Sequence, residues 1–321
     1  MGEQKELPFP YEFEELKPEE KALININFGY LPAPHIRVGP KGYMVYTPYK
    51  KEAANIYNMP LRPSDVFVTS YQRSGTTLAQ ELVWLIANDF NYDKAAEIPL
   101  THRYFYLEMT GNENFEIIYY KNFDREKFSR YIRIVAKPVN THLPMSLLPP
   151  KMLDTTKVVY VARDPRDVAV SCYHHAKLFR RSFCPDFKAF WSMFRRDLFS
   201  RMPFFEHVKE AWEKRHDPNM LFLFYEDLLK DLPSSIRSVA DFFGKQLNEE
   251  QVNRLCSHLS IENFKKNKSV NYEEMRETGL LAKGKTGGWR AYFDEEMTQQ
   301  ADQWIEDNLR DTDLQYPNMK H

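Results

Sequence analysis

The sequence predicts an α/β fold in which a parallel β-sheet is flanked by helices on both faces. Unbroken apolar runs without polar alternation are typical of strands buried on both faces of a parallel sheet. Each run is followed by a stretch with helical periodicity, which favours strand–loop–helix units. The runs are DVFVTSY (65–71), KVVYVAR (157–163) and NMLFLFY (219–225).

The helical stretches follow these strands in order along the chain. They are TTLAQELVWLIAND (76–89), DVAVSCYHHAKLF (167–179) and LPSSIRSVADFFG (232–244), and EEMTQQADQWIEDNLR (295–310) follows later. Gly244 suits the position just after a helix, where a left-handed conformation is common. We therefore expect every predicted core strand to lead into a helix.

The N-terminal part is expected to form a helical arm of about residues 1–40. Prolines around Leu31 to Pro34 separate its helix from a first short strand, GYMVY (42–46). The sequence has no internal repeat and no stretch with the composition of a linker. We expect a single domain over residues 1–321.

Composition and charge exclude several classes of protein. Hydrophobic residues make up 43% and charged residues 28%, enough for a substantial core. The net charge of −1 gives no overall attraction to nucleic acid or to an anionic membrane, so we expect neither as a partner. Three cysteines (172, 184 and 256) favour reduced thiols, and no segment reads as a signal peptide or a membrane span. We expect a cytoplasmic protein.

The segment from Tyr71 to Thr77 has the chemistry of an anion-binding loop. Gly75 lets the backbone approach a ligand closely, and the first N–H groups of the following helix are unpaired. Thr76 and Thr77 add hydroxyl donors, and Arg73 adds a forked cation. An ordinary helix N-cap is the alternative from composition alone. The glycine-rich pattern that ends in Lys and Ser or Thr is absent, which disfavours a metal-dependent nucleotide hydrolase or a nucleotide kinase.

Four motifs in the same order give this chain a specific resemblance. YQRSGTT (71–77) resembles the Y-P-K-S-G-T-T-W loop of cytosolic sulfotransferases, and THLP (141–144) matches their T-H-L-P segment. VVYVARDPRDVAVS (158–171) matches their strand–Arg–helix–Ser element, and LFYED (223–227) precedes a late Lys-Gly pair. The resemblance covers roughly residues 35 to 310 and is closest in wording to the insect branch that includes retinol dehydratase.

The resemblance implies 3′-phosphoadenosine 5′-phosphosulfate (PAPS) as sulfuryl donor, PAP as product and no metal. The acceptor would be a hydroxyl group, phenol or alcohol, on a small hydrophobic or aromatic molecule. The 5′-phosphosulfate would be held by Arg73, Ser74, Gly75, Thr76, Thr77 and Leu78. The 3′-phosphate would be held by Arg163 and Ser171, with Tyr225 near the adenine and Ser260, Lys283 and Gly284 as further contacts.

The resemblance also implies the catalytic residues and the acceptor pocket. His142 would be the general base, because an imidazole that titrates near neutrality can take a hydroxyl proton. Arg73 would stabilise the leaving phosphate, since catalysis of such transfers rests chiefly on positioning and on cations. The expected acceptor contacts are Tyr49, Tyr104, Phe105, Tyr106, Asn140, His142, Tyr173 and His175.

Several departures from the family pattern leave an alternative open. The loop lysine is Arg73, the lysine before T-H-L-P is Asn140, and the arginine before the late Lys-Gly is Ala282. A catalytically weak or inactive protein that binds the nucleotide or a small hydrophobic ligand is therefore the second hypothesis. The family's dimerisation signature reads Arg290 to Gln299 without its Thr, Val and Glu, which leaves a homodimer open.

Overall fold

The computed structural model describes residues 7–28, 34–109, 138–179, 186–271 and 286–317. Their strands form two sheets. A three-stranded antiparallel sheet has the order β1-β2-β3, and a five-stranded parallel sheet has the order β5-β6-β4-β7-β8. The strands are β1 (Phe13–Glu15), β2 (His35–Val38), β3 (Tyr43–Tyr46), β4 (Val66–Thr69), β5 (Phe105–Tyr106), β6 (Val139–Thr141), β7 (Lys157–Ala162) and β8 (Met220–Phe224).

Helices fill most of the remaining described chain, and three short 3₁₀ turns connect some of the elements. The 3₁₀ turns are Leu107–Met109, Met145–Leu147 and Gly288–Ala291. The helices are α1 (Pro18–Phe28), α2 (Tyr49–Tyr57), α3 (Thr76–Ala87), α4 (Tyr92–Glu97), α5 (Leu100–Arg103), α6 (Met152–Thr155), α7 (Pro165–Phe179), α8 (Phe187–Arg195), α9 (Phe204–Glu213), α10 (Tyr225–Lys230), α11 (Leu232–Phe242), α12 (Glu249–Leu259), α13 (Ile261–Lys266) and α14 (Glu295–Leu309).

The parallel sheet separates two apolar clusters, and β7 contributes to both. Val158 and Tyr160 point into one cluster, whereas Val159 and Val161 point into the other, as the alternation of a strand requires. Residues of α1, α2, α7, α8, α9 and α14 complete the first cluster, and residues of α3, α10, α11, α12 and α13 complete the second. The predicted α/β fold with helices on both faces is confirmed.

The core strands and the helices that follow them are confirmed to within a few residues. Gly244 has φ +67° directly after the C-cap Phe243, as predicted. One detail of the strand prediction is wrong: β8 is partly exposed over most of its length, because it lies at the edge of the sheet beside β7 only. Its aromatic residues made an edge strand look like a central one.

The N-terminal arm differs from the prediction. Helix α1 is present, but β1 and β2 lie on either side of it in the sequence. β1 pairs with β2, and β2 pairs with β3. The predicted GYMVY strand is β3, and it belongs to this antiparallel sheet. Among the described residues, no helix combines the length and the apolar character needed to cross a membrane.

Candidate active site

Several of the predicted site residues follow the carboxyl ends of the strands of the parallel sheet. The strands of a parallel sheet all end on the same side of the sheet. The segments that follow β6, β4, β7 and β8 are therefore neighbours, in that order. The segment after β4, the central strand, is the loop of residues 70–75. The predicted anion-binding segment, 71–77, consists of this loop from Tyr71 on and the first two residues of α3. The segment after β6 carries His142, the one after β7 carries Arg163, and Tyr225 follows β8 directly.

The loop after β4 has an unusual backbone that brings it close to Tyr225. Arg73 has φ +69° and Gly75 has φ +101°, both in the left-handed region. A Cβ atom on Gly75 would lie 2.2 Å from Cδ2 of Tyr225, so glycine is required by space as well as by conformation. The Ser70 and Thr76 hydroxyls are 2.6 Å apart and close the loop at its base.

Two arginines and a serine form a compact polar cluster beside this loop. Arg73 Nε donates to Ser171 Oγ at 3.1 Å, and Arg163 Nη1 donates to the Arg73 carbonyl oxygen at 3.1 Å. The Arg163 guanidinium also lies 4.6 Å from the centre of the Tyr225 ring. The structure thus brings together Arg73, Arg163, Ser171, Gly75 and Tyr225.

This cluster fits a ligand with phosphate groups. Two guanidinium groups, a serine hydroxyl and the N-terminus of α3 converge there, and all of them favour an anion. Ser74 is 1% exposed, and its Oγ atom has no hydrogen-bond partner among the described residues. A buried hydroxyl without a partner is costly, and an anion in the loop would supply one.

Buried carboxylates hold the turn that follows Arg163. Glu226 Oε1 accepts from the Asp164 N–H at 3.0 Å, and burial raises the pKa of Glu226 to about 7. Asp167 accepts from the N–H groups of Gly287 at 2.7 Å and Trp289 at 2.9 Å. The turn at Arg163 is therefore fixed to α10 and to the segment that begins at residue 286.

His142 lies on the other side of the loop and is held at three atoms. Its Nδ1–H donates to the Ser70 carbonyl at 2.9 Å, its backbone N–H donates to Glu108 Oε1 at 2.6 Å, and its carbonyl accepts from His207 Nε2 at 2.9 Å. The Nδ1 contact places the proton of the neutral ring on Nδ1. Nε2 is then the basic nitrogen.

Burial and nearby cations keep His142 neutral. Desolvation is the main cause that lowers its pKa well below the usual value, and Arg201 lowers it further. The ring is therefore unprotonated at pH 7, the form that a general base needs. His207 behind it is also neutral, since burial lowers its pKa to about 4, and its Nδ1 accepts from the Tyr160 hydroxyl.

Some of the predicted acceptor contacts surround His142. The Tyr106 ring meets the His142 ring edge to face with 5.5 Å between centres. Asn140 on β6 pairs in register with Tyr106 on β5 and with Val68 on β4, and its Oδ1 atom is buried without a partner among the described residues. Phe105 precedes Tyr106 on β5. Burial is the main cause that raises the pKa of Tyr49 on α2, and the negative charge of Glu108 raises it further.

Other predicted residues are exposed, belong to an apolar cluster or have structural contacts. Thr77 is exposed, Leu78 belongs to an apolar cluster, and Ser260 caps α13. Tyr173 packs on Phe187 and Phe190, and His175 is half-buried on the same helix, α7. Tyr104 was expected at the acceptor pocket, but it is buried in the opposite apolar cluster and donates to the Gln80 carbonyl. Lys283, Gly284 and Ala282 lie outside the described residues.

Sequence reasoning missed Arg201 and Glu108. Arg201 Nη2 donates to the Tyr106 hydroxyl at 3.0 Å, and its Nε lies 3.4 Å from Glu108 Oε1. Both side chains are about nine-tenths buried, at 12% and 10% exposure. No motif surrounds either residue. The only signal was a charged residue in an apolar or aromatic stretch, after Tyr106-Leu107 for Glu108 and between Phe199 and Phe204 for Arg201.

Comparisons with known proteins agree with this arrangement. The family model described as the sulfotransferase domain matches residues 63–313. Luciferin sulfotransferase of Photinus pyralis is 33% identical over 296 residues, which cover 86% of this chain and 80% of that protein.

Two solved structures of retinol dehydratase are similar over nearly the whole chain. One, in complex with androsterone and the inactive cofactor PAP, has a TM-score of 0.88 and 55% identity, with 98% of this chain and 100% of that chain covered. The other, in complex with retinol and PAP, has a TM-score of 0.87 and 54% identity, with 97% and 100% covered. From its motifs, its fold and these matches, the chain belongs to the sulfotransferase family.

Proposed function

We propose that this enzyme transfers a sulfuryl group from PAPS to the hydroxyl group of a small hydrophobic acceptor, with His142 as general base. The observation that carries the proposal is the position of one loop between two groups of residues. The arginine and serine cluster lies on one side of residues 70–75, and a neutral imidazole lies on the other.

Each residue of the cluster has a role toward the donor. PAPS, when bound, supplies the sulfuryl group and carries phosphate at both ends. Arg163 and Ser171 would bind the 3′-phosphate, because a guanidinium and a hydroxyl together match a dianionic group. Arg73 and the N–H groups at the start of α3 would bind the 5′ end and stabilise the charge that develops on the leaving phosphate.

The acceptor side needs a base and an apolar wall. His142 Nε2 would take the proton of the acceptor hydroxyl while Nδ1–H stays on the Ser70 carbonyl. Tyr106 and Phe105 would provide aromatic surface next to it. Similar structures contain androsterone and retinol, so we propose an alcohol of comparable size and apolar character as the acceptor.

The test is transfer of label from ³⁵S-PAPS to a panel that contains retinol, androsterone and simple phenols. Products are analysed as sulfate esters and, for retinol, also as the dehydrated hydrocarbon, since one set of similar structures is named as a dehydratase. Appearance of labelled ester, or of dehydrated product that depends on PAPS, supports the proposal. A protein that PAP stabilises against heat, but that consumes no donor with any acceptor, would instead be a nucleotide-binding protein.

A further inference from the structure

Arg201 is positioned at the junction of three elements of the site. It lies between α8 and α9 with φ +67°, and its backbone N–H donates to the Met44 carbonyl on β3 at 2.7 Å. Its Nη1 donates to Gln72 Oε1 of the loop at 2.8 Å, and its Nη2 donates to the Tyr106 hydroxyl of β5 at 3.0 Å. Its Nε lies 3.4 Å from Glu108 Oε1. A side chain with this many partners at 12% exposure has little freedom to move.

Glu108 carries the contact from Arg201 to His142. The same oxygen, Oε1, is the acceptor for the His142 N–H at 2.6 Å and the partner of Arg201 Nε. Burial raises the pKa of Glu108, and the positive charge of Arg201 opposes that effect. A buried carboxyl between a cation and a backbone donor fixes both of them.

Gln72 ties the same arginine to the anion-binding loop. Its Nε2 donates to the Ser200 carbonyl at 3.1 Å, and the Tyr71 hydroxyl donates to that carbonyl at 3.0 Å. Together with the Arg201 contact, three hydrogen bonds join residues 71–72 to residues 200–201. The family pattern has proline at the place of Gln72, and a proline side chain could form neither of its two bonds.

We infer that Arg201 is a positioning residue for the transfer reaction: acting through Glu108 and Gln72, it holds His142 and the donor loop in a fixed relative position. This rests on the proposed function of His142 as base. Arg201 also places a permanent positive charge near the imidazole, in a site where Asn140 stands in place of the family's lysine.

The charge of Arg201 gives the inference a directional test. Three groups near the His142 ring disfavour its protonation: Arg201, Arg73 and His207. The Ser70 carbonyl favours protonation. Glu108 contacts the backbone N–H of His142. Removal of the Arg201 charge should raise the pKa of His142. We therefore expect the midpoint of the His142 titration to move to higher pH.

The first experiment measures this pKa by NMR titration of the imidazole signals in the full chain, without donor or acceptor. The His142 signal is assigned by its loss in His142→Gln. Arg201→Gln should shift the titration to higher pH, whereas Arg201→Lys, which keeps the charge, should leave it near the wild-type value. Arg37→Gln is the matched control, because it breaks a partly buried ion pair between Arg37 of β2 and Glu20 of α1. An unchanged titration in Arg201→Gln, or an equal shift in Arg37→Gln, would overturn the charge effect.

The second experiment measures kcat and the affinity for PAP. Arg201→Lys and Glu108→Ala should lower kcat by about 10-fold to 100-fold, because small displacements of a base are costly, with much smaller effects on PAP binding. Glu108→Gln keeps an acceptor for the His142 N–H and should restore most of the activity. Equal losses in Glu108→Gln and Glu108→Ala, or wild-type kcat in Glu108→Ala, would overturn the positioning role. If no acceptor is found, the proposed function fails, while the titration still tests the charge of Arg201.

Discussion

Replacement of Gly75 by alanine is the most direct perturbation of the anion-binding loop. Gly75 has φ +101°, a conformation that costs an L-residue about 1–2 kcal/mol. The added Cβ would also lie 2.2 Å from Tyr225 Cδ2 and 2.7 Å from Cε2. Ordinary carbon contacts begin at about 3.5 Å, so the ring or the loop must move by roughly 1.3 Å.

The movement has consequences for the nucleotide as well as for stability. Overpacking of a well-packed site costs about 1–3 kcal/mol, and here it displaces the ring on which Arg163 rests at 4.6 Å. We expect Gly75→Ala to lose about 2–5 kcal/mol of unfolding free energy from strain and overpacking together. If the site relaxes by moving Tyr225, affinity for PAP falls by about 10-fold to 100-fold.

Gly244→Ala is the matched control for this prediction. Gly244 also has a left-handed φ, +67°, but no described heavy atom lies within 4 Å of the position that a Cβ atom would take there. It should therefore lose only the conformational part, about 1–2 kcal/mol, and bind PAP like the wild type. Calorimetric titration with PAP and urea unfolding measure the two quantities. Equal PAP affinity in both variants would refute the argument that Tyr225 and the loop are packed too tightly for a side chain.

Three further predictions concern the other residues of the site. Arg163→Ala should abolish most of the rise in melting temperature that PAP gives the wild type, and an undiminished rise would remove Arg163 from the phosphate site. His142→Ala should lower turnover by about 100-fold to 10,000-fold while calorimetry still detects PAP binding; near-normal turnover would place the base elsewhere. Asn140→Lys should raise turnover with little change in PAP affinity, because it adds a cation near the transferring group. If the Arg73 side chain already fills the space of the missing lysine, turnover should rise only when Asn140→Lys is combined with Arg73→Lys. No change in either variant would place Asn140 outside the reacting centre.

The fold could be predicted where strands are long and apolar. Strands β4, β7 and β8 have unbroken runs of three to five apolar residues, and their helices have clear periodicity. Strands β5 and β6 have only two and three residues, so their own sequence carries no pattern. β6 is a strand because β4 offers it hydrogen-bonding partners, and β6 in turn offers partners to β5. Both pairings depend on tertiary structure.

The candidate site divides in the same way. Arg73, Arg163 and Ser171 follow predictable strands or lie on a predictable helix, so local motifs identify them. Glu108 and Arg201 are far apart in the sequence, and neither has a motif around it. Their ion pair arises only when β5 and the α8–α9 connection meet, which no local pattern could indicate.

The order of strands in the parallel sheet separates two tasks of this enzyme. β4 lies between β6, which leads to the proposed base His142, and β7, which leads to Arg163, the proposed ligand of the 3′-phosphate. Neighbouring strands are about 4.8 Å apart, so the backbone itself sets the spacing between the anion-binding loop and His142. Three of the expected acceptor side chains, Phe105, Tyr106 and Tyr49, lie outside these three strands, on β5 and α2. Acceptor preference can therefore diversify among related enzymes by changes at the periphery, while the chemistry at the centre stays the same.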